Sequence, residues 1–215
     1  MVFVGTGSLT VTATGKSGIV SDDYVHFMGG KVTVNCSSSV VVSGSDTLKP
    51  ACIRGKDYFK ITEGTLDLTS TGTGGTGISS DGNGYFNGGS VRVTVKGSNF
   101  GSSGGGGFPG FSNGGSNGVS AKGLKFDGNL VFKGSRVVVN STAHEGIEAK
   151  GTLAVTGGLV YSHSQSDDAI NSGGNLDLVA GDVLVVQDAE LGVAALLGEG
   201  EAAVLVLVEI DAPLH

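Results

Sequence analysis

Four carboxylates and one amide fall in two short phrases of this chain: Glu145 and Glu148 in HEGIEAKG, and Asp167, Asp168 and Asn171 in SDDAINSGG. In each phrase a small residue and an isoleucine stand between the flanking polar groups, Glu145-Gly146-Ile147-Glu148 in one and Asp168-Ala169-Ile170-Asn171 in the other. If the two isoleucines occupy equivalent places in adjacent strands, Glu145 stacks on Asp168 and Glu148 on Asn171. Like charges packed at sheet spacing repel unless something neutralises them. Hard oxygen donors clustered on turns are what Ca2+ takes, so the residue types predict a Ca2+ site with Glu145, Glu148, Asp167, Asp168 and Asn171 as ligands. The same residue types also serve as solvated turn formers that accept backbone N–H bonds, and neither an EF-hand loop nor a nonapeptide calcium repeat is present.

The elements that must position these groups follow from an internal ruler. Ile147 to Gly158 and Ile170 to Gly181 are both eleven residues, and so are Ile19 to Gly30, Ile53 to Gly64 and Ile78 to Gly89; Val119 to Gly134 is fifteen. Regular self-similarity of this kind is the mark of a repeat architecture. Each unit reads as alternating strands joined by polar turns, with no long 3.6-residue period. The expected fold is therefore all-β: a single-stranded right-handed parallel β-helix of about seven to eight rungs, forming one domain over residues 1–215. A lone rung cannot bury its inward residues, whereas stacked rungs align like residues into ladders. Ile19, Ile53, Ile78, Val119, Ile147 and Ile170 should form one inward column, and Phe27, Ile61, Phe86, Val155 and Leu178 another, with glycines at the corners. On this register Lys122 and Lys150 lie three residues after Val119 and Ile147 and stack beside the acids as candidate ligand-binding residues. The four tyrosines, Tyr24, Tyr58, Tyr85 and Tyr161, do not share a column.

Two insertions interrupt the period. The first, about 43–50 (SGSDTLKP), reads as a polar excursion from a corner. The second, about 99–118, is a Gly/Ser/Asn loop carrying Phe108 and Phe111, which are expected to pack over the coil as a lid or to touch ligand. From about 187 to 215 the texture changes, and a last rung or cap is expected there, with Val204 to Val208 as a terminal strand and Val193 as the next column residue.

The net charge of −7 is local, because residues 188–215 hold six of the 20 acids and none of the 13 Lys and Arg. The nearly neutral body lacks the clustered basic face that nucleic acid requires. No apolar run is long enough for a membrane-spanning helix, so no membrane insertion is expected. Met1 leads straight into a strand-like pattern, so no signal peptide is expected within these residues, as in a trimmed mature chain. Cys36 and Cys52 suit buried thiols as well as a disulfide.

The paired blocks HEGIEAKGTLAVTGG and SDDAINSGGNLDLVAGD resemble the signature of a bacterial carbohydrate-binding domain family, once a domain of unknown function, whose relatives are surface proteins that bind cellulose and acidic pectic sugars. The resemblance is carried by Ser79 to Val186. It implies a pectate-lyase-like right-handed parallel β-helix, bound Ca2+ and export to the cell surface. The expected function is extracellular, Ca2+-assisted binding of an acidic pectic or a cellulosic plant polysaccharide. Two alternatives stand beside it: a polysaccharide lyase acting on uronate glycans, with Ca2+ acidifying the proton and Lys or Arg abstracting it, and a non-catalytic adhesin or structural stalk. Lone turn histidines such as His144 and His163 are expected as ordinary surface residues.

Overall fold

The computed structural model describes residues 1–101, 118–187 and 202–208. The chain enters as β1 (Val2–Phe3), β2 (Ser8–Ala13), β3 (Ile19–Ser21), β4 (Tyr24–Cys36), β5 (Val41–Ser43) and β6 (Asp46–Leu48). It continues as β7 (Ala51–Gly55), β8 (Tyr58–Ser70), β9 (Thr76–Ser80), β10 (Asn83–Phe86), β11 (Ser90–Val95), β12 (Leu124–Phe126) and β13 (Leu130–Phe132). It closes with β14 (Arg136–Ser141), β15 (Ile147–Ala149), β16 (Leu153–Ser164), β17 (Ile170–Ser172), β18 (Leu176–Gln187) and β19 (Ala202–Val208). No helix occurs among the described residues. Alternating Val, Thr, Ile and Phe between glycine-bearing turns leave the backbone only strand pairing as a way to satisfy its N–H and C=O groups.

Short strands β17, β15, β12, β9, β7 and β3 make a six-stranded parallel sheet, and eleven others make a second, larger parallel sheet. Successive layers pair like with like. The inward column of the six-stranded sheet is Ile19, Ile53, Ile78, Leu124, Ile147 and Ile170. The first five of these are buried, Ile19 at 6% exposure and the next four at 0%. A second column stacks Phe3, Phe27, Ile61, Phe86, Phe132, Val155 and Leu178, with Phe86 and Phe132 rings 4.9 Å apart. Phe59 and Phe126 pack between these columns.

Leu124, rather than Val119, holds the fourth place in the isoleucine column, so the expected register was five residues early at this layer. Val119 is drawn off by the long insertion: its N–H and C=O exchange hydrogen bonds with Phe100 at 3.0 and 2.8 Å in an antiparallel bridge that closes the neck. Counting from Leu124 restores the spacing of eleven and lands on Ser135, which lies level with Gly89 and Gly158. Its hydroxyl donates to Gly88 O at 2.6 Å. Elsewhere in the column the glycine is needed: Gly158 has φ +89°, and a Cβ there would press into the Ser135 carbonyl.

The excursion near 43–50 is an antiparallel hairpin of β5 and β6, turning at Gly44 with φ +61°. At the other end β19 pairs in parallel with β18, in line with the expected terminal strand. Val193, Phe108 and Phe111 lie outside the described residues. Cys36 and Cys52 are free and buried. Tyr24 and Tyr58 are register partners with rings stacked 4.7 Å apart, whereas Tyr85 lies level with Lys60 and Tyr161 with Val138, so the four tyrosines do not share one column. Tyr85 meets Tyr58 edge-on at 6.2 Å.

Candidate functional site

The corrected register rewrites the outer face of the six-stranded sheet. One position after each column residue come Val20, Arg54, Ser79, Lys125, Glu148 and Asn171, in that spatial order. Three positions after it, backbone bonds stack Lys56, Asp81, Asp127, Lys150 and Gly173. The ridge thus mixes its charges, with Arg54 and Lys56 in the second layer, Asp81 in the third, Lys125 and Asp127 in the fourth, and Glu148 and Lys150 in the fifth.

Two positions before the column residue, Lys122 lies level with Glu145, which lies level with Asp168: Gly123 N donates to Glu145 O and Gly146 N to Asp168 O. The stacking of Glu145 on Asp168 and of Glu148 on Asn171 is as expected. The layer beneath them is Lys122 and Lys125, because Leu124 and not Val119 holds the column place. Lys122 and Lys150 accordingly do not stack on each other. Lys150 reaches Asp127 at 2.8 Å, and Lys125 reaches the same carboxylate at 2.9 Å.

Lys122 is the centre of the patch. Its ammonium lies 3.1 Å from both Glu145 oxygens and 2.8 Å from Glu148 Oε2, with its side chain 10% exposed. Desolvated charges persist only when paired this closely. Asn99 holds the segment in place: its side-chain oxygen accepts from Ala121 N at 2.9 Å and its amide donates to Ala143 O at 2.9 Å. The neck of the insertion and the turn before Glu145 are tied by this one residue.

His144, expected as an ordinary surface residue, is drawn into the patch, its Nδ1 touching Glu145 Oε2 and lying 3.0 Å from Asp167 Oδ2. Burial pushes its pKa down, Lys122 adds to that, and the neighbouring Asp167, Glu148 and Asp168 only partly oppose it. Asp168 Oδ2 accepts from the Asn171 amide at 3.0 Å, and Asp167 Oδ1 accepts from Asp168 N at 2.9 Å. The signal that could have found His144 was its place directly before Glu145 in the repeated phrase.

The Ca2+ implied by the resemblance meets a donor set that does not suit it. Lys122 already takes up Glu148 and one oxygen of Glu145, and an imidazole nitrogen enters where a Ca2+ cage needs six to eight oxygens.

Beside the patch, toward the earlier layers, lies a pocket of about 250 Å³ lined by Lys49, Arg54, Lys122 and Lys125 together with Asp81, Asp127 and the hydroxyl residues Thr76, Ser79, Ser80 and Ser120. Arg54 is held by Asp81 at 3.0 Å, while Lys49 makes no ion pair among the described residues. Burial raises the Asp127 carboxyl, but hydrogen bonds and charge from Lys150 and Lys125 outweigh it and hold the pKa below the ordinary 3.8. Lys150 is raised in turn, first by its hydrogen bond to Asp127.

Parallel layers with a charged, hydroxyl-lined pocket on one outer face define a β-repeat protein. A family model described as carbohydrate-binding domain-containing protein matches residues 1–190, and the chain belongs to that family. No curated protein and no solved structure matches it. Among the described residues no helix is long and apolar enough to cross a membrane.

Proposed function

We propose that the chain is an extracellular or cell-surface module that binds an acidic polysaccharide, with uronate carboxylates seated in the pocket of Lys49, Arg54, Lys122 and Lys125. The observation that carries this reading is that Lys49, without an ion pair among the described residues, converges with the paired cations Arg54, Lys122 and Lys125 and four hydroxyl residues in one pocket of a carbohydrate-binding family member. A carboxylate meeting ammonium and guanidinium groups forms charge-assisted hydrogen bonds, and sugar hydroxyls exchange bonds with Ser and Thr. The two parallel sheets are read as faces of one right-handed coil of seven to eight layers, so that a glycan lying along the axis meets a new layer about every 4.8 Å. The stacked Tyr24 and Tyr58 spend their ring faces on each other, which favours an acidic over a crystalline cellulosic ligand.

Electrophoretic retardation on polygalacturonate tests the reading. Retardation that weakens in Lys49→Glu and Lys125→Glu and is absent on uncharged glucan supports it; no retardation on either gel overturns it. A chelator lane decides whether a bridging Ca2+ takes part. Release of unsaturated sugars absorbing in the ultraviolet would move the protein to the lyase reading instead.

A further inference from the structure

We propose that His144 Nδ1, Glu145 Oε2 and Asp167 Oδ2 form a three-donor site for one divalent transition-metal ion of the Zn2+ class. The three donors lie within 4.8 Å of one another. They come from adjacent layers, held by the bond from Gly146 N to Asp168 O at 3.1 Å. Ser164 sets both turns, its hydroxyl donating to His144 O at 2.9 Å and accepting from Asp167 N at 3.2 Å.

Beyond convergence, His144 Nδ1 and Glu145 Oε2 are sealed from solvent and touch each other, with Asp167 Oδ2 3.0 Å from Nδ1, yet neither atom makes a hydrogen bond. The Glu145 side chain is only 8% exposed. Glu145 Oε2 lies 3.1 Å from the Lys122 ammonium, whose hydrogen bond goes instead to Oε1. Buried polar atoms without such a partner are costly, and a metal bond satisfies them. Charge points the same way. Lys122 pairs with Glu145 and Glu148, whereas Asp167 and Asp168 have no Lys or Arg ion pair among the described residues, which leaves an excess of negative charge that a divalent ion reduces.

The ligand type selects the ion. Imidazole and carboxylate together suit Zn2+ and its neighbours, whereas Ca2+ takes oxygens and more of them. Three protein donors leave a fourth position for water or a ligand oxygen, the arrangement of an open zinc site.

The experiment uses the full chain stripped with chelator and titrated with Zn2+ alone and with Ca2+ alone by calorimetry. One Zn2+ per chain is expected, bound at least tenfold tighter than Ca2+, and weakened tenfold or more in His144→Asn and in Asp167→Asn. Circular dichroism checks that both variants keep the fold. Should either fail to fold, the visible spectrum of the Co2+-loaded wild-type chain takes its place, and a tetrahedral spectrum is expected. Tighter Ca2+ than Zn2+ binding, Zn2+ binding unchanged by His144→Asn, an octahedral Co2+ spectrum, or no binding at all would each overturn the site. The probe is a metal without glycan, so its failure leaves the polysaccharide reading untouched.

Discussion

At the scale of single residues, Lys122 decides what the acidic patch is. Its ammonium lies between Glu145 and Glu148, and breaking a buried pair by removing one partner leaves uncompensated charge. Lys122→Met is expected to cost about 3–5 kcal/mol in urea unfolding, and adding Glu145→Gln to it should recover part of the loss. Equal stability of Lys122→Met and wild type would show the cluster to be solvated. Asp127 gives a pH test. Its folded pKa lies below the ordinary 3.8, so its stabilisation is complete above that value and is lost as pH falls through the lower folded value. Melting temperature plotted against acid pH should therefore fall less steeply in Asp127→Asn than in wild type. The acids themselves were legible from the doubled phrase. Lys122 was legible as a neighbour of the patch but not as its counter-ion, because it comes level with Glu145 only when Leu124 takes the column position.

At the scale of elements, the inward ladders were legible and one corner was not. Phe27, Ile61, Phe86, Val155 and Leu178 recur eight residues after the column residue and stack as the spacing predicts. The slip at Val119 arose because Ser135 stands where the other layers carry the corner glycine and because Gly134, one residue earlier, offered a false mark. An insertion of arbitrary length removes the only other measure of register. Two substitutions weigh ladder against corner. Phe86→Ala removes a ring packed on Phe59, Phe126 and Phe132 and is expected to cost about 3–5 kcal/mol. Gly158→Ala, at positive φ and facing a carbonyl, is expected to destabilise by more than about 1 kcal/mol. A Gly158→Ala protein as stable as wild type would mean that the corner relaxes freely.

At the scale of the whole molecule, parallel layers leave unpaired strand edges only where the stack ends. β19 covers β18 over seven register pairs, from Gly181↔Ala202 to Gln187↔Val208. A chain ended after Gln187 bares that edge, and bare edges template association. Sedimentation velocity of the shortened chain is expected to reveal concentration-dependent oligomers that the full chain lacks; a monomer at all concentrations would show that β18 protects itself.

The bridge between Phe100 and Val119, with Asn99 tied to Ala121 and Ala143, has a consequence for engineering and for divergence. The two ends of the long insertion are clamped together before Leu124 resumes the column, so the distance across the neck is independent of what lies between. Sequence between Gly101 and Gly118 is therefore expected to tolerate changes of length without shifting Lys122, Lys125 or the layers after them. The fold has in effect a socket, wired beside the charged groove, into which new sequence can be plugged while the rest of the stack keeps its count.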